Sequence, residues 1–266
     1  MQIQIFSIAL SDIADAFRRI DLVGMLGWQD IRRRYRRSGL GPFWITISIA
    51  VMIGVIGVVF GQIFKSSITD YLPFLTIGMI LWNFMSSVIT EGCNCFISAE
   101  GIIKQLPIPL FVHILRMIWR CFLILLHSLP IYPLVLLVIG KPLSWIALLS
   151  IPGFMLVIIN LAWIALLLAI CCARYRDLPE IITNLQQIIF YLTPIMWMPK
   201  LLPERAGLYL LDLNPVYHFL QLTRAPLLGD LPSINSWLVG VTMALIGWII
   251  TLGIFNRYKY SIVYWL

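Results

Sequence analysis

Arg32-Arg33-Arg34-Tyr35-Arg36-Arg37, followed five residues later by the 22 uncharged residues 43–64, is the junction that decides the fold. An apolar run of about 20 residues is long enough to cross the hydrocarbon core of a bilayer as a helix. Basic residues beside such a run are held on the cytoplasmic side by the translocation bias and by anionic lipid. Seven of the nineteen Lys and Arg residues fall in the first 37 positions, so the chain is expected to start inside. Composition agrees: 61% hydrophobic and 12% charged residues, with a mean hydropathy of +0.93, leave too little polar surface to coat a water-soluble globule. The fold class read from these features is all-α integral membrane.

Six stretches are long enough to span: 43–64, 71–90, 121–140, 144–172, 181–199 and 231–256. An even number returns the chain to its starting side, placing both termini in the cytoplasm. Fourteen of the nineteen basic residues then lie inside, and the five outside are Lys65, Lys141, Lys200, Arg205 and Arg224. The whole of 1–266 reads as one transmembrane domain. It comprises a cytoplasmic interface helix and basic cluster at 8–37, spans one to five over 43–199, short outer helices at 200–230, and span six at 231–256.

Before span one, Ile13, Phe17, Ile20 and Gly24 follow helical spacing with Asp12, Asp15, Arg18 and Arg19 largely opposite, which predicts an amphipathic helix at the cytoplasmic interface. Short turns at 65–70 and at Lys141-Pro142 make antiparallel hairpins of spans one with two and three with four. Between 91 and 120, Pro107 and Pro109 stop any continuous helix, and Glu100, Lys104 and Arg116 make this a charged cytoplasmic elbow. In 200–230, two apolar pieces at 208–213 and 216–222, too short to span, flank Asn214-Pro215 and predict helices re-entering the outer leaflet. Gly57-x-x-x-Gly61 in span one permits close helix approach and is a sign of dimerisation.

The chain contains no G-x-x-x-x-G-K-[ST], no HExxH and no Gly-x-Ser-x-Gly, so nothing in it signals nucleotide hydrolysis or a known catalytic centre. His113, His127 and His218 are isolated from one another, and the five cysteines lie in or beside apolar runs without metal-ligand spacing. No metal site is expected. The net charge of +7 borders apolar runs instead of forming a groove with stacking aromatics, so lipid headgroups fit better than nucleic acid. The span cores carry no charge unless span two extends to Glu91, which disfavours an ion-driven transporter.

Two spans carry polar stripes. Asn83, Ser87, Thr90 and Asn94 recur on one face of span two, with Trp82 beside them; span five offers Asn184, Gln187 and Tyr191, and on a neighbouring face Gln186, Phe190, Thr193 and Trp197. Singly, such groups glue helices together in lipid. Together, amides that bond hydroxyls and aromatic faces that pack on C–H surfaces would suit a conduit for a neutral, hydroxyl-rich substrate.

Arg32 to Arg37 running through Leu40-Gly41-Pro42-Phe43-Trp44, then Arg174-Tyr175-Arg176-Asp177-Leu178, Thr193-Pro194-Ile195 and Asn214-Pro215, resembles the permease subunit of ABC-2-type polysaccharide exporters, the O-antigen, capsule and teichoic-acid transporters. The resemblance covers essentially the whole chain in order. It implies a homodimer in the bacterial inner membrane, docked on a separate cytoplasmic ATP-binding subunit that carries ATP and Mg, so that this chain needs no cofactor. It implies a lipid-linked polysaccharide as substrate. It further assigns coupling to the interface helix with Arg32, Arg33 and Arg34 and to the elbow with Glu100, Lys104 and Pro107, and the outer mouth to Asn214 and Pro215. Asp177, in the turn between spans four and five, joins the coupling set and is expected to cap the following helix and to pair with a neighbouring element. Rival readings are a drug or lipid exporter of the same type and an integral-membrane transferase. The transferase would need an acidic or His motif that Glu91, Glu100, Asp177 and Glu180 are too scattered to form.

Overall fold

The computed structural model describes residues 6–36, 39, 41, 43–65, 67–199 and 211–266, which form helices and turns with no strand among them. Helices α1 (Ser7–Arg18) and α2 (Ile20–Arg34) precede α3 (Phe43–Ile63) and α4 (Ile68–Cys93). The elbow holds α5 (Cys95–Ser98) and α6 (Glu100–Gln105). Then come α7 (Leu110–Ser128), α8 (Ile131–Ile139), a 3-10 turn (Trp145–Leu149), α9 (Ser150–Arg174), α10 (Leu178–Leu192), α11 (Pro215–Leu228) and α12 (Ile234–Trp265). Arg37, Leu40, Pro42 and the stretch 200–210, with Lys200, Arg205 and the start of the first outer helix, lie outside the described residues.

Among the described residues, five stretches are long and apolar enough to cross a membrane: Phe43–Ile63, Ile68–Cys93, Leu110–Ile139, Trp145–Arg174 and Ile234–Trp265. The third begins directly after Pro109, because proline tolerates a helix start but not its interior. Arg116 and Arg120 therefore belong to a long helix, not to the elbow, and the second span runs on through Glu91. The expected fifth span at 181–199 is a 15-residue helix, α10, about 22 Å long at 1.5 Å per residue against a hydrocarbon core of about 30 Å. It ends where Pro194 forces Thr193 into extended backbone (φ −89°, ψ 137°). Residues 193–199 continue without regular helix.

Helix α4 is the hub, packing against α3, α7, α8, α9, α10 and α11, and its side chains from Phe74 to Leu81 are all buried. Gly57 and Gly61 pack onto this helix inside the same chain: a methyl group on Gly57 would come within 2.6 Å of Leu72. The Gly57-x-x-x-Gly61 motif thus serves the α3–α4 hairpin and not a contact between copies. Gly153 plays the same part between α9 and α11, where a Cβ would collide with the Leu222 backbone.

The irregular segment after α10 is enclosed by protein, the condition under which non-helical backbone is tolerated at membrane depth. Tyr71 Oη donates to the Met196 carbonyl at 2.5 Å, and Arg224 Nη1 to the Pro194 carbonyl at 2.6 Å. Asn214 Nδ2 donates to Thr193 Oγ1 at 2.9 Å while its Oδ1 accepts from the Val216 and Tyr217 amides, capping α11 ahead of Pro215. Arg224 is 0% exposed, its guanidinium lies 4.0 Å from the Phe74 ring centroid, and its Nε and Nη2 have no hydrogen-bond partner among the described residues.

At the opposite end, Asp12 is 2% exposed rather than on the polar face of an interfacial helix. Its carboxylate accepts the Leu110 and Phe111 amides at 3.2 and 2.9 Å, capping α7 from a distant helix, and pairs with Lys259 of α12 at 2.8 Å. Asn256 Oδ1 accepts from Ile8 and Ala9 N–H, closing the start of α1. The apolar face left outward on α1 and α2 is Leu10, Phe17, Ile20, Met25 and Trp28, all about half exposed.

Asp12→Ala removes the acceptor for two amides and strands Lys259, so it should cost about 3 kcal/mol, read as a lower melting midpoint in detergent. Asp12→Asn keeps an oxygen for one amide and should cost less. Arg224→Met should hold or raise the midpoint. One hydrogen bond and one ring contact return less than the desolvation of a guanidinium with two unpartnered nitrogens. A fall worth more than about 2 kcal/mol would show that the Pro194 bond dominates.

Candidate functional site: an open helix face and an ionic end

Helix α10 has no buried residue, so within one chain it lies on the periphery. It touches α4 along one line. Thr90 Oγ1 donates to Gln186 Oε1 at 3.1 Å, Gln186 Nε2 donates to the Ser86 carbonyl at 3.3 Å, and the Trp82 and Phe190 rings sit 5.5 Å apart. Thr193, on the same line, is bonded by Asn214. The Gln186–Phe190–Thr193 face is therefore the glue. Asn184, Gln187 and Tyr191 are centred about 125° away at 100° per residue, on the flank turned from α4, and all three are exposed. Trp197 closes the end of the helix by donating from Nε1 to the Tyr191 carbonyl at 3.1 Å.

On α4, Asn83 and Ser87 are half-buried, and Asn94 bonds back to the Thr90 carbonyl at 3.2 Å. The structure thus brings the two stripes side by side, joined through Gln186 and Phe190. It leaves an uncharged amide-and-aromatic surface on the outside of the chain. Its chemistry is hydrogen bonding and ring contact.

The charged end is built from α2, α4 and α7. Asp30 receives a two-pronged bond from Arg116 (Nε 2.7 Å, Nη2 2.5 Å) and one from Arg120 Nη1 at 2.9 Å. Arg120 also grips Glu91 (Nε 3.1 Å, Nη2 2.6 Å), and Arg34 reaches the same carboxylate at 3.3 Å. Burial pushes Asp30 upward, but the bonds and charges of Arg116 and Arg120 outweigh it and hold the carboxyl below the ordinary aspartate range. Since the folded value is the depressed one, the stability this brings is complete above about pH 4 and is lost as the pH falls through the folded value. Sequence reasoning placed Arg116 in a loop and gave Asp30 no role. The readable signal was the i, i+4 spacing of Arg116 and Arg120, which puts two cations on one face of an apolar helix that must find acids.

The remaining coupling candidates stand at the same end. Arg32 and Arg33 are exposed, Pro107 is exposed, and Lys104 pairs with Glu100 at 2.7 Å one turn away, which holds Glu100 below the usual glutamate range. Asp177 occupies the N-cap position of α10 at φ −87°, ψ −17°, a helical conformation from which its side chain makes no capping bond. It takes part in no ion pair among the described residues, so the expected cap and pairing are not formed.

The sequence model described as ABC-2 type transporter matches residues 21–228, from α2 to the end of α11. Two Klebsiella pneumoniae proteins described as O-antigen export system permease protein RfbA are 24% and 25% identical over 246 residues, covering 90% of this chain and 93% of each relative. A Myxococcus xanthus protein of the same description is 22% identical over 190 residues, covering 71% of this chain and 73% of the relative. With the family's sequence model matching from α2 through α11, the chain belongs to the ABC-2 type transporter family.

Proposed function

We propose that this chain is the membrane-spanning subunit of an ATP-driven exporter that moves a lipid-linked polysaccharide across the bacterial inner membrane. In this reading it works as a homodimer on a separate cytoplasmic ATP-binding subunit. The observation that carries the proposal is the exposed Asn184–Gln187–Tyr191 face on a helix that buries nothing within its own chain. An uncharged amide and aromatic surface at bilayer depth is unfavourable facing lipid and favourable facing hydroxyls or a second copy. The relatives described as O-antigen export permeases point the same way.

In this proposal α10 and the enclosed segment 193–199 together make the sixth crossing, so that both termini are cytoplasmic with Lys104 and Arg174, while Lys65 and Lys141 face outward. Nucleotide energy enters at the ionic end, where α1, α2 and the elbow meet the ATPase. Helix α4 is the connecting rod. It holds Glu91 at that end, the Asn83–Ser87 stripe midway, and Tyr71 and Phe74 against the 193–196 segment and Arg224 at the other end. A shift of the elbow relayed through Arg120–Glu91 therefore moves the polar stripe and the outer segment together, as a rigid element does.

Tyr191→Ala should slow export by roughly ten- to hundredfold, the loss of one stacking face worth about 1–3 kcal/mol, with an unchanged melting midpoint because Tyr191 is 63% exposed. Tyr191→Phe should export normally. Phe190→Ala, on the glued face, should instead lower the midpoint. Normal export by Tyr191→Ala would remove this face from the path.

Glu100→Lys breaks only an exposed i, i+4 pair with Lys104, so folding should be spared. Recovery of the ATP-binding subunit in pull-downs and polysaccharide export should fall together. Wild-type levels of both would reduce the elbow to a linker.

A further inference from the structure

The end of the bundle that carries Asp12 and Asp30 also holds a groove of about 600 Å³ between α9 and α12 that the coupling network leaves unused. Ile170, Ile250 and Ile254 line its apolar part, and Arg174 and Arg257 its charged part. Ile170 precedes Arg174 by one turn, and Ile250 and Ile254 precede Arg257 by two turns and one. On both helices, therefore, the apolar wall lies deeper along the span and the guanidinium nearer its end. Ile249 and Ile250, 61% and 51% exposed, place the groove on the outer surface of the bundle.

Among the described residues, neither arginine is engaged by an acid. Arg174 lies 5.3 Å from the Tyr175 ring and 5.2 Å from the Trp265 ring, and Arg257 lies 5.4 Å from the Tyr258 ring. The ion pairs among the described residues use other cations, and the Leu266 carbonyl accepts from Arg176 instead. The lining contains no side-chain amide, serine or threonine and no acid.

An apolar slot ending in two acid-free guanidiniums, framed by aromatic rings suited to the headgroup level, complements one chemistry: a phosphate head on an acyl tail. We propose that this groove binds an acidic glycerophospholipid of the adjoining leaflet, its phosphate held by Arg174 and Arg257 and an acyl chain lying along Ile250 and Ile254. The inference concerns the membrane around the chain and stands whether or not the polymer assignment does.

The test uses the full-length protein, purified, delipidated and titrated with phosphatidylglycerol or phosphatidylcholine, with melting midpoint and lipid retention in native mass spectrometry as readouts. Phosphatidylglycerol should raise the wild-type midpoint by several degrees and phosphatidylcholine should not. Arg174→Gln with Arg257→Gln should start from the wild-type midpoint yet bind at least about tenfold more weakly, whereas Arg19→Gln with Arg36→Gln should respond as wild type. Ile250→Trp, which fills the tail slot and keeps both charges, should also lose the response. Equal response to both lipids, or an undiminished response in the Arg174/Arg257 double variant, would overturn the site. Displacement of phosphatidylglycerol by a lower concentration of a polyprenyl phosphate would overturn the choice of lipid.

Discussion

Helix α7 begins at Pro109 with amides that no preceding turn can satisfy, and the group that accepts two of them comes from Asp12, 98 and 99 residues earlier in the chain. Away from water, every such amide needs a partner inside the protein. The same carboxylate holds Lys259, so one buried acid fixes the meeting point of α1, α7 and α12. Helices α1 and α2 are thereby a fixed part of the bundle, with their apolar residues Phe17 and Trp28 turned outward. Asp30 repeats the device one helix later by seizing Arg116 and Arg120.

These ties make mechanical sense of the elbow. Helices α5 and α6 are one turn or little more, and the only ion pair within them, Glu100 with Lys104, is exposed and weak. Firmness comes from behind, where two arginines on α7 bind acids from α2 and α4 in bonds of 2.5–3.1 Å. In the proposed exporter a load applied at the surface would pass to α4, the most enclosed of the five membrane-length stretches among the described residues.

Along α4 the character of the packing changes. One end is ionic, the middle exchanges amide and hydroxyl bonds with α10, and the far end buries an arginine against Phe74 and an irregular segment. Two of Arg224's nitrogens lack partners among the described residues, which a purely structural residue would avoid, since burying donors without acceptors is unfavourable by a few kcal/mol. Helix α10 shows the complementary feature: Asn184, Gln187 and Tyr191 are exposed among the described residues.

Hydrophobic run length settles much without any structure. The 22-residue run after Arg32–Arg37, the hairpin turns and the Asn214-Pro215 break are all local consequences of transfer free energy and backbone chemistry, and they were legible in the sequence. So was the polar character of 83–94 and 184–191. Helix limits were less so, because Pro109 and Pro194 act at single bonds while hydropathy averages over a window: the third span gained the turns bearing Arg116 and Arg120, and the fifth stretch was cut to 15 residues. Which face of α10 is glue and which is open depended on where α4 stands. The partners of Asp12, Asp30, Glu91 and Arg224 lie 29 to 247 residues away, and separation in sequence carries no record of which charges a bundle will bring together. That choice belongs to tertiary packing, because inside the bundle a charge keeps its ionised form only where the fold supplies its counterpart.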